Sequence, residues 1–230
     1  MESGFERDDF LRSDLFAKIT KPQADKMLKC SMAAYKNYQS GELIFGQNDK
    51  PKNLYLLLKG QVIITKYFPS GRRDILFHVR ENQVFGEIFL FAGEEYYWYD
   101  ALAVKDCQVL VLPYGFIYGM CPNVCDHHKQ IIQNLLDIQS KKNLQMSKKL
   151  HILTSATLKQ KLMLLLLDEQ DENHEVHLDM TREELADYLG VARPSLSRTL
   201  KELQEDGIIE NKRKIIYLKN LEKIEEIFEE

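Results

Sequence analysis

Apolar and polar residues alternate in short runs between Gly41 and Pro113. Turn-forming residues separate these runs, at Lys59-Gly60, Pro69-Ser70-Gly71 and Glu81-Asn82. Short alternating runs bounded by turns predict antiparallel strands joined as hairpins. The predicted strands are Glu42–Phe45, Leu54–Leu58, Val62–Tyr67, Asp74–Val79 and Ala101–Leu112. Strands of this length and spacing favour a jelly-roll or barrel, and helical spacing in Asp14–Met32 predicts a small helical cap ahead of it.

The pattern changes after Pro122 to a long stretch without proline or glycine that reaches about Leu153. Residues spaced at alternating steps of four and three form a seam along this stretch, which is typical of a coiled coil. The seam consists of Ile132, Leu136, Gln139, Asn143, Met146, Leu150 and Leu153. Polar core residues such as Gln139 and Asn143 can fix register and a two-stranded state. The alternative is one amphipathic helix packed on its own domain.

A pair of short helices is predicted near the C-terminal end of the chain. Thr181 lies three residues before Glu184 and forms a capping box, which begins a helix. Gly190 can end that helix in the left-handed conformation, and Pro194 suits the start of the next one. A small Ala186 and an apolar Leu196 at these intervals indicate a helix-turn-helix, with a leucine-rich helix from Ala156 in the same domain. The alternative is an ordinary hairpin in a helical bundle.

The second helix of this pair buries leucines at i, i+4 and i+7 and leaves a polar, basic face. That face holds Arg193, Pro194, Ser195, Ser197, Arg198 and Lys201. Arginine can donate two hydrogen bonds to guanine, serine can reach bases or phosphates, and lysine neutralises phosphate. We predict that Arg198 and Arg193 read bases, and that Thr181 and Arg182 contribute to DNA binding.

The segment after the helix pair predicts a hairpin with a basic tip. Ile208–Glu210 and Ile215–Leu218 flank the sequence Asn211-Lys212-Arg213-Lys214. We interpret this hairpin as a wing, whose Lys212 and Arg213 should lie against the DNA backbone.

Composition and charge narrow the class of protein. A chain of 230 residues, 44% apolar and 29% charged, can bury a core and suits two domains of modest size. The net charge of −4 means that any DNA contact must come from a local basic patch. Leu162–Leu167 is far shorter than the roughly 20 apolar residues that span a bilayer, and the N-terminus is acidic. We therefore expect a cytoplasmic protein without membrane association.

Taken together, these residues resemble the CRP/FNR (cyclic-AMP receptor and fumarate-nitrate regulator) family of bacterial transcription regulators over nearly the whole chain. The resemblance rests on Leu57-Leu58-Lys59-Gly60-Gln61-Val62, on Phe85-Gly86-Glu87-Ile88 and on the segment Met180 to Ile209. It implies an α+β fold: an N-terminal double-stranded β-roll, jelly-roll and cyclic-nucleotide-binding-like, over 1–121, a dimerisation helix over 122–153, and a winged helix-turn-helix over 154–230. It also implies a homodimer that binds a palindromic duplex and RNA polymerase and receives a small-molecule effector in the roll.

Two departures from the family pattern concern specificity. Members that bind cyclic AMP resemble one another in an Arg-Ser pair where this chain has Tyr97-Trp98, and those side chains lack the positive charge that a phosphate needs. We therefore expect another effector, in a pocket assigned to Gly86, Glu87, Tyr97, Trp98 and Met146. The run Tyr96–Tyr99 either lines such a pocket or packs in the core. Pro194 replaces a glutamate of many relatives, which predicts a different half-site sequence.

The cysteines and histidines leave two sensing mechanisms to consider. Cys30, Cys107, Cys121 and Cys125 are expected to be reduced thiols, because disulfide frameworks belong mainly to small secreted domains. Iron-sulfur clusters need several closely placed thiolates, whereas only Cys30 precedes the roll. His78, His127 and His128 could ligate haem. We assign no metal and no cofactor, and keep a redox or gas sensor of the same architecture as an alternative.

Catalysis is not expected. A catalytic metal site in a jelly-roll needs about two histidines and a carboxylate, and the roll contains only His78. The sequence also lacks a phosphate-binding glycine loop and a nucleophile elbow. A ligand-binding module unrelated to transcription is the alternative from another functional class.

Overall fold

A computed structural model describes residues 9–68, 70, 72–118, 126–178, 180–212 and 215–229. The chain divides into two compact units, Met1–Ser140 and Lys141–Glu230, and each unit is described by itself below. Strands dominate the first unit, and the second combines helices with a small sheet. The predicted α+β fold class is confirmed.

The first unit begins with the predicted helical cap. Short 3-10 turns at Asp9–Arg12 and Asp14–Phe16 precede helix α1, Lys21–Ser31. Thr20 caps α1 in a capping box with Gln23, and Met32 ends the helix in the left-handed conformation. The cap and the outer face of one sheet of the roll bury their apolar side chains against each other. This cluster includes Phe10, Leu15, Phe16, Met27, Leu54, Leu56, Leu110 and Leu112.

The roll consists of two four-stranded antiparallel sheets. Its strands are β1 (Ala34–Tyr38), β2 (Leu43–Phe45), β3 (Asn53–Lys59), β4 (Val62–Tyr67), β5 (Arg73–Val79), β6 (Val84–Phe85), β7 (Asp100–Ala103) and β8 (Cys107–Pro113). The order is β1-β8-β3-β6 in one sheet and β2-β7-β4-β5 in the other.

Side chains of strand β3 alternate between two hydrophobic cores. Leu54, Leu56 and Leu58 face the helical cap, whereas Tyr55 and Leu57 face the interior of the roll. Successive side chains point to opposite faces of a strand, so β3 is buried on both sides and reads as a continuous apolar run. Each fully buried leucine contributes about 1.5–3 kcal/mol of transfer free energy.

The prediction of one strand over Ala101–Leu112 was wrong. The chain forms β7 and β8 in different sheets, with a turn over 104–106 between them. Asp106 in this turn accepts a hydrogen bond from the Ser40 amide, and Ser40 Oγ donates to the Val104 carbonyl. The charged pair Lys105-Asp106 interrupts the apolar run at this turn, a signal that the prediction of a single strand overlooked.

Helices α2 (Glu87–Ala92) and α3 (Tyr114–Tyr118) belong to the roll unit, and α4 (Asp126–Thr154) is the long helix predicted from the seam. Asn134 on α4 is buried and donates hydrogen bonds to the carbonyls of Leu15 and Ala17. These bonds attach the first part of α4 to the helical cap. Within the described ranges, no helix is both long and apolar enough to cross a membrane.

The second unit surrounds a leucine-rich core. Its elements are the end of α4, then α5 (Leu158–Glu169), β9 (Glu175–His177), α6 (Arg182–Leu189), α7 (Arg193–Glu205), β10 (Ile209–Lys212), β11 (Ile215–Leu218) and α8 (Leu221–Glu229). The strands form a sheet in the order β10-β11-β9. Leu162, Leu166 and Leu196 are completely buried in this core. Ile152, from the last turns of α4, belongs to the same cluster.

Candidate DNA-binding site and roll interior

Helices α6 and α7 have the geometry of the predicted helix-turn-helix. Thr181 Oγ1 accepts from the Glu184 amide at 3.2 Å, and Glu184 Oε2 accepts from the Thr181 amide at 2.7 Å. These bonds lower the pKa of the Glu184 carboxyl group. Gly190 ends α6 with φ of 67°, a conformation that a side chain would strain. Ala186 and Leu196 are buried where the two helices pack together.

Helix α7 presents its polar side to solvent. Leu196, Leu200 and Leu203 point into the core. The residues predicted to contact DNA on this helix are all exposed: Arg193, Ser195, Ser197, Arg198 and Lys201, together with Pro194. Within the described ranges, Lys201 lies 3.4 Å from the exposed Glu205 carboxylate, whereas Arg193 and Arg198 form no ion pair. The result is an accessible, basic helix surface of the kind that enters a major groove.

A polar notch of about 220 Å³ brings three of the predicted residues together. Arg182, Ser197 and Lys201 line it, and burial lowers the pKa of Arg182. Gln204 and Asn211 complete the notch, and Gln204 Oε1 accepts from the Asn211 amide at 3.3 Å. Sequence reasoning missed both. Gln204 follows Ser197 by seven positions on the same helix face and could have been found, whereas Asn211 required knowledge of how the wing packs.

The wing forms as predicted, with β10 and β11 paired in antiparallel register. Lys212 Nζ lies 2.8 Å from Glu210 Oε1 and also lies over the Tyr217 ring, so part of its charge is compensated locally. The Glu210 hydrogen bond raises the pKa of Lys212. Arg213 lies outside the described residues. The role of the wing tip against the DNA backbone stays a prediction.

Replacing Thr181 with alanine should separate a structural effect from a DNA-binding effect. Thr157 caps α5 in an equivalent box, accepting from the Gln160 amide at 3.1 Å, and provides the matched control. Thr181→Ala and Thr157→Ala should each lower the free energy of unfolding by about 0.5–2 kcal/mol in denaturant titrations. Only Thr181→Ala should also weaken binding to duplex DNA in fluorescence anisotropy. Equal DNA affinity of the two variants would remove Thr181 from the contact surface.

The proposed effector residues occupy different environments. Tyr97 is only 2% exposed and stacks on Phe45 with ring centroids 3.9 Å apart. Burial is the largest cause that raises the pKa of Tyr97, followed by the neighbouring Tyr55 hydroxyl. Trp98 is 52% exposed, with Lys66 Nζ 4.9 Å above its ring. The run Tyr96–Tyr99 thus alternates between the core and the surface.

Gly86 and Glu87 lie at the beginning of α2. Gly86 has φ of 78°, and a Cβ there would come 2.8 Å from the Tyr55 ring, so this position requires glycine for both reasons. Glu87 is 1% exposed and contributes to the raised pKa values of Tyr97 and Tyr99. Met146 is 68% exposed and belongs to the second unit. The structure therefore gathers Gly86, Glu87 and Tyr97 in the roll.

A side-chain hydrogen bond joins one residue of the predicted effector pocket to one residue of the predicted dimer seam. Gln139 Nε2 on α4 donates to Glu87 Oε1 on α2 at 3.1 Å. The sequence predicts Glu87 in the effector pocket and Gln139 in the dimer seam. Nothing in the spacing of the sequence indicates this pairing, because the residues are 52 positions apart and in different elements.

The thiols and histidines have ordinary structural environments where they are described. Cys30 is exposed, and Cys107 is buried, which raises the pKa of its thiol. Cys121 and Cys125 lie outside the described residues. His78 lies next to the Gln61 amide, and the ring of His128 contacts the Phe116 carbonyl and ring. Asp171, Glu175 and His177 bring possible metal-binding atoms within 4.8 Å of one another on the surface.

Comparisons with known proteins agree with this architecture. Residues 35–123 match the cyclic nucleotide-binding domain family, and residues 160–227 match the Crp-like helix-turn-helix domain family. The chain is 24% identical to the cAMP-activated global transcriptional regulator CRP of Escherichia coli over 208 residues, covering 83% of this chain and 93% of that protein. It is also 24% identical to the HTH-type transcriptional regulator ArcR of Staphylococcus epidermidis over 186 residues, covering 78% and 79%. The solved structure of the c-di-GMP responsive global regulator CLP of Xanthomonas campestris has a similar fold, with a TM-score of 0.52 and 20% identity over 85% of this chain and 99% of that one. The chain belongs to the CRP/FNR family of DNA-binding transcription regulators.

Proposed function

We propose that this regulator is a homodimer that reads a palindromic DNA site through α7 and responds to a small-molecule effector in its roll. The exposed polar and basic face of α7, from Arg193 to Lys201, is the observation that carries this proposal. Arg198 and Arg193 read bases, while Arg182, Ser197 and Lys201 form a notch for a backbone phosphate. RNA polymerase is a further proposed partner, and this assignment rests on the family resemblance.

Exposed apolar side chains on α4 support homodimerisation. Leu136, Met146 and Leu150 are 62%, 68% and 62% exposed, and all three belong to the predicted seam. Ile132, Leu136 and Gln139 also line an apolar groove of about 430 Å³ with Phe91 and Ile117. Large apolar side chains repeated along one helix are characteristic of an interface. The second copy of α4 is the occupant that a coiled-coil seam specifies, since the same residues recur on both helices.

Mass measurement by static light scattering tests the dimer directly. One chain has a mass of 26.9 kDa, so the proposal predicts twice that value at micromolar concentration. A mass equal to one chain, with or without duplex DNA, would contradict the homodimer.

The effector of this regulator is proposed to be a compound other than cyclic AMP. Where relatives that bind the cyclic phosphate are expected to have an arginine and a serine, Tyr97 is buried in the core and Trp98 is about half exposed. Neither side chain provides the charged donor that a phosphate requires. The hydrogen bond between Gln139 and Glu87 offers a route by which a change in the roll reaches α4. Repositioning of the recognition helices by this route is the mechanism that we propose.

Replacing Gln139 with leucine tests this connection. The variant keeps the size of the side chain but removes the donor to a buried carboxyl group, so the unfolding free energy should fall by about 1–3 kcal/mol. Gln133→Leu, at an exposed position on the same helix, is the matched control and should change stability by less than about 0.5 kcal/mol. Urea denaturation measures both at a protein concentration at which each variant is monomeric, because leucine at seam position 139 would also stabilise the dimer. Equal stabilities of the two variants would show that the bond to Glu87 contributes nothing.

A further inference from the structure

The polar notch of about 220 Å³ lies where the recognition helix α7 meets the first turn of α6 and strand β10 of the wing. Its lining residues are Arg182, Ser197, Leu200, Lys201, Gln204 and Asn211. Each polar side chain of this set has at least one hydrogen-bond donor, and none has a carboxylate. At ~30 Å³ for each water molecule, the notch has room for roughly seven waters, which is enough for one phosphate group. A notch with this chemistry favours an anionic ligand.

One hydrogen bond at this notch connects α7 to the wing. Strand β10 lies at the edge of its sheet, so the backbone amides on its outer side have no partner strand. Gln204 Oε1 accepts from one of them, the Asn211 amide, at 3.3 Å. A carboxamide is planar, so a bond to its oxygen also restricts the direction of its Nε2 group. The bond therefore orients the Gln204 side chain as well as attaching the wing to α7.

Three donor groups at the notch have no acceptor in the described part of the chain. They are Gln204 Nε2, the Asn211 side-chain amide and the Arg182 guanidinium group. Lys201 differs from them, because its ammonium group lies 3.4 Å from the Glu205 carboxylate. The three groups come from α7, β10 and α6 respectively, so they approach an acceptor in the notch from three different elements. A phosphate has several acceptor oxygens and can bond to all three donors at once.

We propose that Gln204 and Asn211 are further DNA-binding residues, which together with Arg182 hold one backbone phosphate between α7 and the wing. Contacts to phosphate position a protein on the duplex and carry no direct sequence information. These two residues therefore contribute to the affinity for every duplex and to the placement of the wing, whereas base reading belongs to other side chains of α7. The assignment rests on the proposed function, since it requires that α7 binds DNA.

Gln204→Glu in the full-length protein tests the contact while keeping the bond to the wing. The new carboxylate still accepts from the Asn211 amide, so the Tm should change by less than about 2 °C. The donor to the phosphate is replaced by a negative charge, so the Kd for every duplex should rise by about tenfold or more in fluorescence anisotropy. Gln145→Glu makes the same substitution at an exposed position of α4 outside the notch, and it should bind as the wild type does.

Single methylphosphonate groups in a palindromic duplex selected from a random pool locate the phosphate. Each such group replaces one charged phosphate oxygen with a methyl group. In the wild type, one position in each half-site should weaken binding by about fivefold or more. The same position should have much less effect in Gln204→Glu and in Asn211→Asp, because two changes to one contact are not additive.

The outcomes separate this contact from the proposed function. If the wild type binds the selected palindrome and Gln204→Glu binds it as tightly as Gln145→Glu does, the contact is overturned and the DNA-reading role of α7 is unaffected. Weaker binding by Gln204→Glu without coupling to any single phosphate would also overturn the direct contact, because the substitution would then act only through the wing. A wild type that binds no duplex, with or without a cell extract as a source of effector, would contradict the proposed function and this contact with it.

Discussion

Replacing both Leu136 and Leu150 with glutamate should convert the proposed homodimer into a folded monomer. In a single chain these side chains are 62% exposed, so the substitutions should have little effect on folding. In the dimer they would place carboxylates without partners in an apolar seam, a cost of several kcal/mol. The dissociation constant of the dimer should rise by at least about 100-fold, as measured by sedimentation equilibrium.

The matched control for the seam is Gln145→Glu. It adds one glutamate, against two in the double variant, at an exposed position of α4 that is not part of the predicted seam. This variant should remain dimeric and keep its affinity for a palindromic duplex, whereas the double variant should lose most of that affinity. A double variant that is still a dimer would mean that the copies associate through another surface, and that α4 is only an amphipathic helix packed in its own chain.

Arg198→Ala should reduce specific DNA binding by about 1–3 kcal/mol, which is roughly five- to 150-fold in Kd. The side chain is exposed on the same face of α7 as Ser195 and Lys201, where a helix in the major groove would meet base edges. Binding to unrelated duplexes should change much less, because that binding depends on phosphate contacts. Competition between a palindromic duplex selected from a random pool and unrelated duplex, followed by anisotropy, measures the two affinities separately.

Lys201→Ala tests a proposed phosphate contact, for comparison with the proposed base contact of Arg198. Removing this lysine should weaken binding to all duplexes to a similar extent. It should also reduce the salt dependence of binding by about one counterion. Arg80→Ala, an exposed arginine of the roll, should behave like the wild type. If Arg198→Ala and Lys201→Ala lower specific and nonspecific binding in the same proportion, Arg198 is not a base reader.

Most of the fold follows from local patterns in the sequence. The alternating runs located β3, β4 and β5 to within about one residue at each end, and the seam located α4. Strand β1 escaped prediction because Ala34–Tyr38 is mostly exposed and lacks apolar alternation. Helix α8 was missed although Ile224 and Ile227 bury one face of it. Here the amphipathic pattern was present in the sequence and could have been used.

Site residues whose positions depend on local sequence could be predicted, whereas residues that tertiary packing brings together could not. The capping box at Thr181 and the exposed face of α7 depend on helix periodicity, and the sequence is sufficient to locate them. The bond between Gln139 and Glu87 and the position of Asn211 beside Gln204 depend on tertiary packing, which no spacing encodes. Tyr97 illustrates the difficulty most clearly. An aromatic residue is equally compatible with a pocket wall and with a core, and only the stacking on Phe45 shows how the ring is packed.

Selection of bound sequences from a random duplex pool by the purified full-length protein tests the central claim most directly. A homodimer with one α7 per copy should enrich a twofold-symmetric sequence whose half-sites are about one helical turn, roughly 34 Å, apart. Recovery of such a palindrome by the wild type, and not by the Leu136→Glu, Leu150→Glu variant, is the predicted result. Absence of enrichment both with and without a cell extract as a source of effector, or enrichment of a single asymmetric half-site, would contradict a dimeric DNA-reading regulator.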